Sequence, residues 1–421
     1  MPTTPGGAVE HVAREEYPRI LATLIRVTGD VDLAQDAVQD AMVRALETWP
    51  RDGIPAEPRA WLTVTARRCA IDRIRRESAR SGKEAAAMWI HEPDDTPVSD
   101  SVVRDDLLRL VFTCCHPSLS VEAQVALSLR TLAGLSTAEV ARAMLVPEAT
   151  MRKRLTRAKQ KIAQAHIPYR VPSDAELPDR LRGVLATLYL IFNEGYAPTS
   201  GAEVVRAGVI DEALRLARLL HDLMPDEPSV TGLLALMLLQ DSRRAARADA
   251  SGAAVLLADQ DRDLWDRERI RTGVELAGQA LRRSPDRPDP YTAQAAIAAC
   301  HALAPSYDRT DWAAIVSWYD VLLAVHDSPA ARLGRASAIA ERDGAGAGLA
   351  AVDAITRLGS HPWWHGSRAE LLHRLGRENE ARTARDHAVR TGLNEAQVRL
   401  LDLSLANPPR DSASGADRRR P

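Results

Sequence analysis

Three features of the sequence predict an all-α protein. Ala, Leu and Arg dominate and β-branched runs are rare, so most positions carry side chains that lose little rotamer freedom in a helix. Apolar residues recur at helical spacing, as in Leu21, Leu24 and Ile25, then Leu33, Val38, Met42, Val43 and Leu46. Pro-containing polar stretches separate these periodic segments. With 421 residues the chain exceeds one compact core, and the pattern divides it into two small helical domains followed by a large helical-repeat domain.

The first domain spans residues 1–80, with helices over 8–78 and a loop at Trp49-Pro50-Arg51-Asp52-Gly53-Ile54-Pro55. A helix then opens at Pro58, where a first-turn proline costs no hydrogen bond, and runs through Trp61, Leu62, Val64, Ile71 and Ile74. Residues 81–103 read as a flexible acidic linker, because His91-Glu92-Pro93-Asp94-Asp95-Thr96-Pro97 cannot hold a regular element. A second helical domain covers 104–168 and a connector 169–178. Helices fill 179–407, and 408–421 is expected to be a disordered tail.

The C-terminal part repeats. Pro329 is followed seven residues later by Ala336 and Pro362 by Ala369, an offset of 33, and Pro228 with Ala235 keeps the same internal spacing. Helix pairs with a period near 34 are the mark of a tetratricopeptide-type array, in which each pair buries its inner face only against the next.

Composition narrows the function. A hydrophobic fraction of 45% with 27% charged residues suits a globular protein, and the longest apolar run, Leu233 to Leu239, is far too short to span a bilayer. Four unpaired-looking cysteines and the absence of a signal-peptide core predict a cytoplasmic location with no membrane contact. Cys114-Cys115-His116 lacks a second ligand pair and reads as buried small residues, and Trp363-Trp364, beside His361, reads as a wedge between helices. No phosphate loop or nucleophile elbow occurs, so the sequence predicts no enzyme, no cofactor and no metal.

Net charge is only −2, yet basic residues cluster. Arg59 to Lys83 holds eight Lys/Arg against Asp72 and Glu77, and Glu148 to Arg170 holds seven against Glu148 alone. Such clusters can neutralise phosphates, or they can be solvated helix faces.

The run from Leu135 to Lys159 decides between these. Ser136 and Glu139 form a capping box, Pro147 closes a short turn, and Glu148 sits at the positive end of the helix that follows. On that helix Met151, Leu155, Ala158 and Ile162 make one apolar stripe. Its other side presents Thr150, Arg152, Lys153, Arg154, Arg157 and Lys161, which suit phosphates and base edges in a major groove. This helix, turn and helix resembles the helix-turn-helix of sigma domain four in the extracytoplasmic-function sigma factors, although Leu145 stands where many members have a turn glycine.

The resemblance extends to the first domain. Asp32 to Leu46 looks like the helix by which sigma domain two grips RNA polymerase, which implies that Asp36, Gln39, Asp40 and Arg44 contact the core enzyme; the same residues also read as an exposed face with pairs such as Asp40 to Arg44. Pro58 to Arg76 is similar to the helix that engages the promoter element where melting starts, which implies DNA contacts by Arg59, Arg67, Arg68, Arg73, Arg75 and Arg76, with Trp61 in the core. The acidic linker would lie in the polymerase, with Asp94, Asp95 and Asp100 mimicking transcript charge or acting as a solvated tether.

Beyond Leu181 the chain looks like the C-terminal extension of one sigma subgroup, around Leu190-Ile191-Phe192-Asn193-Glu194-Gly195-Tyr196. This implies an alternative sigma factor whose partners are core polymerase and promoter DNA, regulated in cis by contact of its helical domain with the sigma domains. Asn193, Glu194, Gly195 and Tyr196 are the candidate regulatory contact, or a helix end with Gly195 as a left-handed cap over Tyr196. The rival functions are a helix-turn-helix regulator with a helical sensor domain, to which the acidic helix would be useless, and a helical scaffold with incidental basic faces.

Overall fold

The computed structural model describes residues 16–81, 100–132, 135–144, 146–164, 172–173, 176–198, 204–355 and 361–407. Most of the linker, half of the connector, the tail and Leu145 therefore lie outside the described residues. The chain forms two compact units, residues 1–190 and 191–421. Among the described residues regular structure is helical, with one isolated bridge between Ala248 and Ala254.

In the first unit, α1 (Tyr17–Thr28) ends at Gly29, whose φ of 66° supplies the left-handed cap and whose N–H donates to the Ile25 carbonyl. The Asp30 carboxylate accepts from the N–H groups of Asp32 and Leu33 and so starts α2 (Val31–Asp52). This helix continues through Pro50 to Asp52, which shortens the loop expected from Trp49 to Pro55. Proline in a final turn removes a single ladder bond, and Trp49, 2% exposed and edge-on to Trp61 at 5.5 Å, anchors that turn in the core. α3 (Pro58–Ser81) packs along α1 and α2.

The buried face of α2 is Ala34, Ala37, Val38, Ala41, Ala45 and Trp49. Val43 and Leu46, two of the apolar residues that recur at helical spacing, are 54% and 49% exposed. Small alanines let α3 approach closely, so the larger side chains are left for the outer face.

The unit continues with α4 (Asp100–Cys114), α5 (Val121–Leu127) running into a π-turn at Ser128–Leu132, α6 (Thr137–Ala143) and α7 (Glu148–Gln164). α1 packs on α4, where the fully buried Asp106 accepts from Arg26 Nε at 2.8 Å and Arg109 Nη1 at 3.3 Å. α8 (Leu177–Tyr196) begins here too: Arg180 donates to the Phe112 carbonyl at 2.6 Å and Thr187 to Gln124 Oε1 at 3.0 Å. Residue 179, the expected start of the last domain, thus falls inside a helix whose first half packs on α4 and α5.

The second unit holds the end of α8, then α9 (Ala207–Leu223), α10 (Pro228–Asp241), α11 (Arg267–Arg283), α12 (Pro290–Leu303), α13 (Trp312–Val325), α14 (Pro329–Asp343), α15 (Ala345–Asp353), α16 (Pro362–Arg374), α17 (Glu378–Thr391) and α18 (Glu395–Ala406). The apolar run of α10 is buried from Leu233 to Leu239, enclosed by its neighbours α9, α11 and α12. Pro228, Pro290, Pro329 and Pro362 each open a helix. The 33-residue offset is carried by charge as well as by the buried Ala336 and Ala369. Asp320 pairs with Arg335 at 2.7 Å, and Asp353 with Arg368 at 2.6 Å, one repeat later. Trp364 wedges against α15, its Nε1–H donating to the Val352 carbonyl at 3.0 Å.

Candidate nucleic-acid interface

The local sequence builds the interface from its caps outward. Ser136 Oγ accepts from the Glu139 N–H at 3.2 Å while Glu139 Oε2 accepts from the Ser136 N–H at 2.7 Å, closing the capping box that starts α6. The Val146 N–H donates to the Ala141 carbonyl at 3.0 Å across the turn, and the Pro147 carbonyl accepts the first bonds of α7. Met151, Leu155 and Ala158 are buried at 0%, 5% and 4% exposure, which fixes the rotation of α7.

That rotation decides which cations face solvent. Thr150, Arg152, Lys153, Arg157 and Lys161 are exposed and Arg154 is half-buried. Arg152 forms an exposed i,i+4 pair with Glu148 at 2.8 Å, a contact it can exchange for a phosphate at little cost. Lys159 differs: its ammonium turns to α2, onto the Asp32 carboxylate and, at 2.7 Å, Gln35 Oε1.

On α3, Arg68, Arg75 and Arg76 are exposed. Arg59, Arg67 and Arg73 are half-buried and engaged: Arg59 lies 3.8 Å from Glu16, and Arg73 bonds Asp36 at 2.9 Å with Asp40 at 3.9 Å. The predicted DNA-facing residue Arg73 is thereby brought onto two residues of the acidic α2 face. On α2 Gln39, Asp40 and Arg44 are exposed and Asp36 half-buried, and the exposed Val43 and Leu46 join them. Sequence reasoning named those two only as apolar positions and gave them no part in the interface; the alanines at 34, 37, 41 and 45 are the signal that the face opposite them is the buried one.

The segment 193–196 is built into the second unit's own packing. Glu194 pairs with Arg206 at 2.8 Å, and Gly195 lies inside α8 without positive φ, so it is no left-handed cap. Its missing side chain is required instead by α9: a Cβ there would sit 2.8 Å from the Ile210 backbone nitrogen. Tyr196 stacks on Phe192 at 5.5 Å, accepts from Arg243 Nε at 2.7 Å and lies under the Arg247 guanidinium at 3.8 Å. The Asn193 carbonyl accepts from the Ala197 N–H at 2.8 Å.

Cys114 and Cys115 are buried, and burial raises both thiols, Cys115 to about 11, which removes thiolate chemistry at neutral pH. No group of His, Cys, Asp and Glu side chains among the described residues is arranged to hold a metal ion, and no described helix is long and apolar enough to cross a membrane.

Against known families, residues 12–80 match sigma-70 region 2, residues 109–162 match sigma-70 region 4, and residues 180–281 match a family of unknown function, DUF6596. An uncharacterised protein of Rhizobium meliloti is 42% identical over 406 residues, 95% of this chain and 96% of that one. The ECF RNA polymerase sigma factor SigK of a Mycobacterium species (strain KMS) is 32% identical over 143 residues, 32% of this chain and 72% of its own length. The probable ECF RNA polymerase sigma factor SigI of Mycobacterium tuberculosis is 30% identical over 197 residues, 44% of this chain and 66% of its own. No solved structure matches.

Proposed function

Because the chain belongs to the extracytoplasmic-function family of RNA polymerase sigma factors, as an alternative sigma factor that directs transcription initiation, we propose how its residues share that task. The family is not enzymatic, and its members work by binding core polymerase and promoter DNA. The acidic α2 face is the core-binding surface. Asp36, Gln39, Asp40 and Arg44 supply its polar contacts, and Val43 and Leu46, exposed side by side, supply the apolar anchor that makes an interface patch energetically useful.

Promoter DNA is taken by two basic elements. Arg59, Arg67, Arg68, Arg73, Arg75 and Arg76 of α3 meet the backbone near the melting site, and Thr150, Arg152, Lys153, Arg154, Arg157 and Lys161 of α7 enter the major groove of the second element. The observation that carries this reading is the segregation on α7, with Met151, Leu155 and Ala158 inside and the cations opposite. The helical C-terminal unit regulates initiation in cis, with residues 193–196 anchoring the start of that unit.

Binding to purified core polymerase, followed by fluorescence anisotropy, separates the roles. Leu46→Glu and Asp40→Arg each weaken core binding at least about tenfold. Arg157→Ala leaves core binding intact and lowers initiation. Core binding insensitive to both α2 changes would refute the assignment. Deleting residues 199–421, which retains α8, changes the rate or range of initiation if the C-terminal unit regulates; unchanged transcription would contradict that role.

A further inference from the structure

Arginines in the second unit follow a rule that three of them break. Among the described residues there, each half-buried arginine pairs with a carboxylate, as Arg206 does with Glu194 at 2.8 Å and Arg368 with Asp353 at 2.6 Å, except Arg243, Arg247 and Arg262. All three lie between α10 and α11, in the segment 242–266. The acids at its two ends are committed elsewhere. Asp241, fully buried, accepts from Arg244 and Arg269, and Asp266 from Arg269 at 3.2 Å. A cation withdrawn from water without an opposite charge is destabilising, so the exception calls for a physical reason.

Neutral groups draw the three to one place. Tyr196, the last residue of α8 and 8% exposed, accepts from Arg243 Nε at 2.7 Å through its hydroxyl and from Arg247 through its carbonyl. The two guanidinium carbons lie 5.7 and 3.8 Å from the centre of its ring. Arg262 donates to the His301 and Ala304 carbonyls at the end of α12, each at 2.7 Å, and covers the Trp265 ring at 4.5 Å. Arg243 stands close enough to act on its neighbours. Burial first, and then the Arg243 charge, hold Arg247 and Arg262 below the ordinary guanidinium range, and burial with Arg243 and Arg262 lowers His301.

Carbonyls and aromatic rings orient a guanidinium but leave its charge in place. Donors exceed acceptors too: Arg262 Nη2 and Trp265 Nε1 are withdrawn from solvent and find no acceptor among the described residues. The locus therefore lacks both negative charge and hydrogen-bond acceptors. A phosphoryl group supplies both, with a charge of about −1.5 to −2 and three acceptor oxygens, and guanidinium forks match its geometry. Recession selects a compact ligand. Arg152 of α7, placed for a duplex, has its side chain 71% exposed, whereas Arg247 lies over a buried ring.

We propose that Arg243, Arg247 and Arg262 form a binding site for the phosphate or diphosphate group of a small molecule. The site belongs to the C-terminal unit, uses none of the residues assigned to DNA or polymerase, and does not depend on those assignments. Its ligand supplies the counter-charge that the chain itself withholds from these three arginines.

Inorganic pyrophosphate and the full-length chain test the site, by calorimetry and by thermal unfolding at constant ionic strength. Pyrophosphate raises the unfolding midpoint above that in sodium acetate, because a ligand held only by the folded state stabilises it. Arg243→Gln and Arg262→Lys each weaken pyrophosphate at least about tenfold, the second because an ammonium keeps the charge but lacks the fork. Arg271→Gln, at an exposed residue of α11 paired with Glu268, leaves the affinity unchanged. Without pyrophosphate, Arg243→Gln does not lower the midpoint, since its amide still donates to Tyr196 and one of three like charges is gone. Pyrophosphate that acts no more than acetate, or binds Arg243→Gln and Arg262→Lys as tightly as the unsubstituted chain, overturns the proposal. Displacement of pyrophosphate by duplex DNA at equal phosphate concentration also overturns it, by giving the cluster to nucleic acid.

Discussion

The Arg73 guanidinium of α3 bonds the Asp36 carboxylate of α2 at 2.9 Å, so one residue expected on DNA is held by one expected on polymerase. Both side chains are partly exposed, at 37% and 46%, and the pair contributes less than about 1 kcal/mol to stability. Asp36→Asn weakens that hold and makes Arg73 more available to phosphate. The slope of log K for DNA against log salt then steepens by up to about 0.9. An unchanged slope would mean that Arg73 does not reach the backbone.

Inward and outward faces of α7 respond differently to truncation. Met151→Ala removes a fully buried side chain and lowers stability by about 2–5 kcal/mol in urea unfolding. Lys153→Ala and Arg157→Ala, both exposed, change stability by less than about 0.5 kcal/mol but each reduces the salt slope of DNA binding by about 0.9. A reversed pattern would mean the helix is rotated from the orientation described.

Gly195→Ala would drive a methyl group to 2.8 Å from the Ile210 backbone nitrogen and Cγ1, and it lowers the unfolding free energy by about 1–3 kcal/mol. Gly208→Ala is the control. Its Cβ would meet nothing within 4 Å, and higher helix propensity raises stability by up to about 1 kcal/mol. Thermal unfolding of both full-length variants checks the pair, and equal shifts would contradict the close approach of α8 and α9.

His301 gives the second unit a pH dependence. Burial, with Arg243 and Arg262 nearby, lowers its pKa to about 4, so the folded ring stays neutral while the unfolded one titrates near 6.5. A depressed histidine makes the unfolded state bind the proton first, so stability is full above about 6.5 and falls as pH drops toward 4, by up to about 3 kcal/mol. Urea unfolding between pH 7 and 4.5 shows this loss, and His301→Leu flattens that part of the curve. An equally steep curve in His301→Leu would assign the dependence elsewhere.

The helical class, the capped turn before α7 and the 33-residue repeat were legible because each is written in local spacing: Ser136 with Glu139, Met151 with Leu155, Pro329 with Pro362. The exposure of Val43 and Leu46 was not legible, because hydrophobicity alone marks two faces of α2 and only packing against α3 selects the alanine face. Pro50 misled for a related reason, since Trp49 holds the last turn by burial that no local rule counts. Gly195 reads as a cap in one dimension, and its partner Ile210 lies on the next helix. The bonds of Lys159 to Asp32 and Gln35 span more than a hundred residues and have no local signature at all.

Run-off transcription with purified bacterial core polymerase, the full-length chain and a library of promoter-bearing DNA tests the central claim most directly. The account predicts discrete start sites that appear only when both the chain and core polymerase are present, and that vanish with Leu46→Glu. Tight, sequence-specific binding of DNA by the chain alone, with no start sites at any concentration of core polymerase, would contradict it.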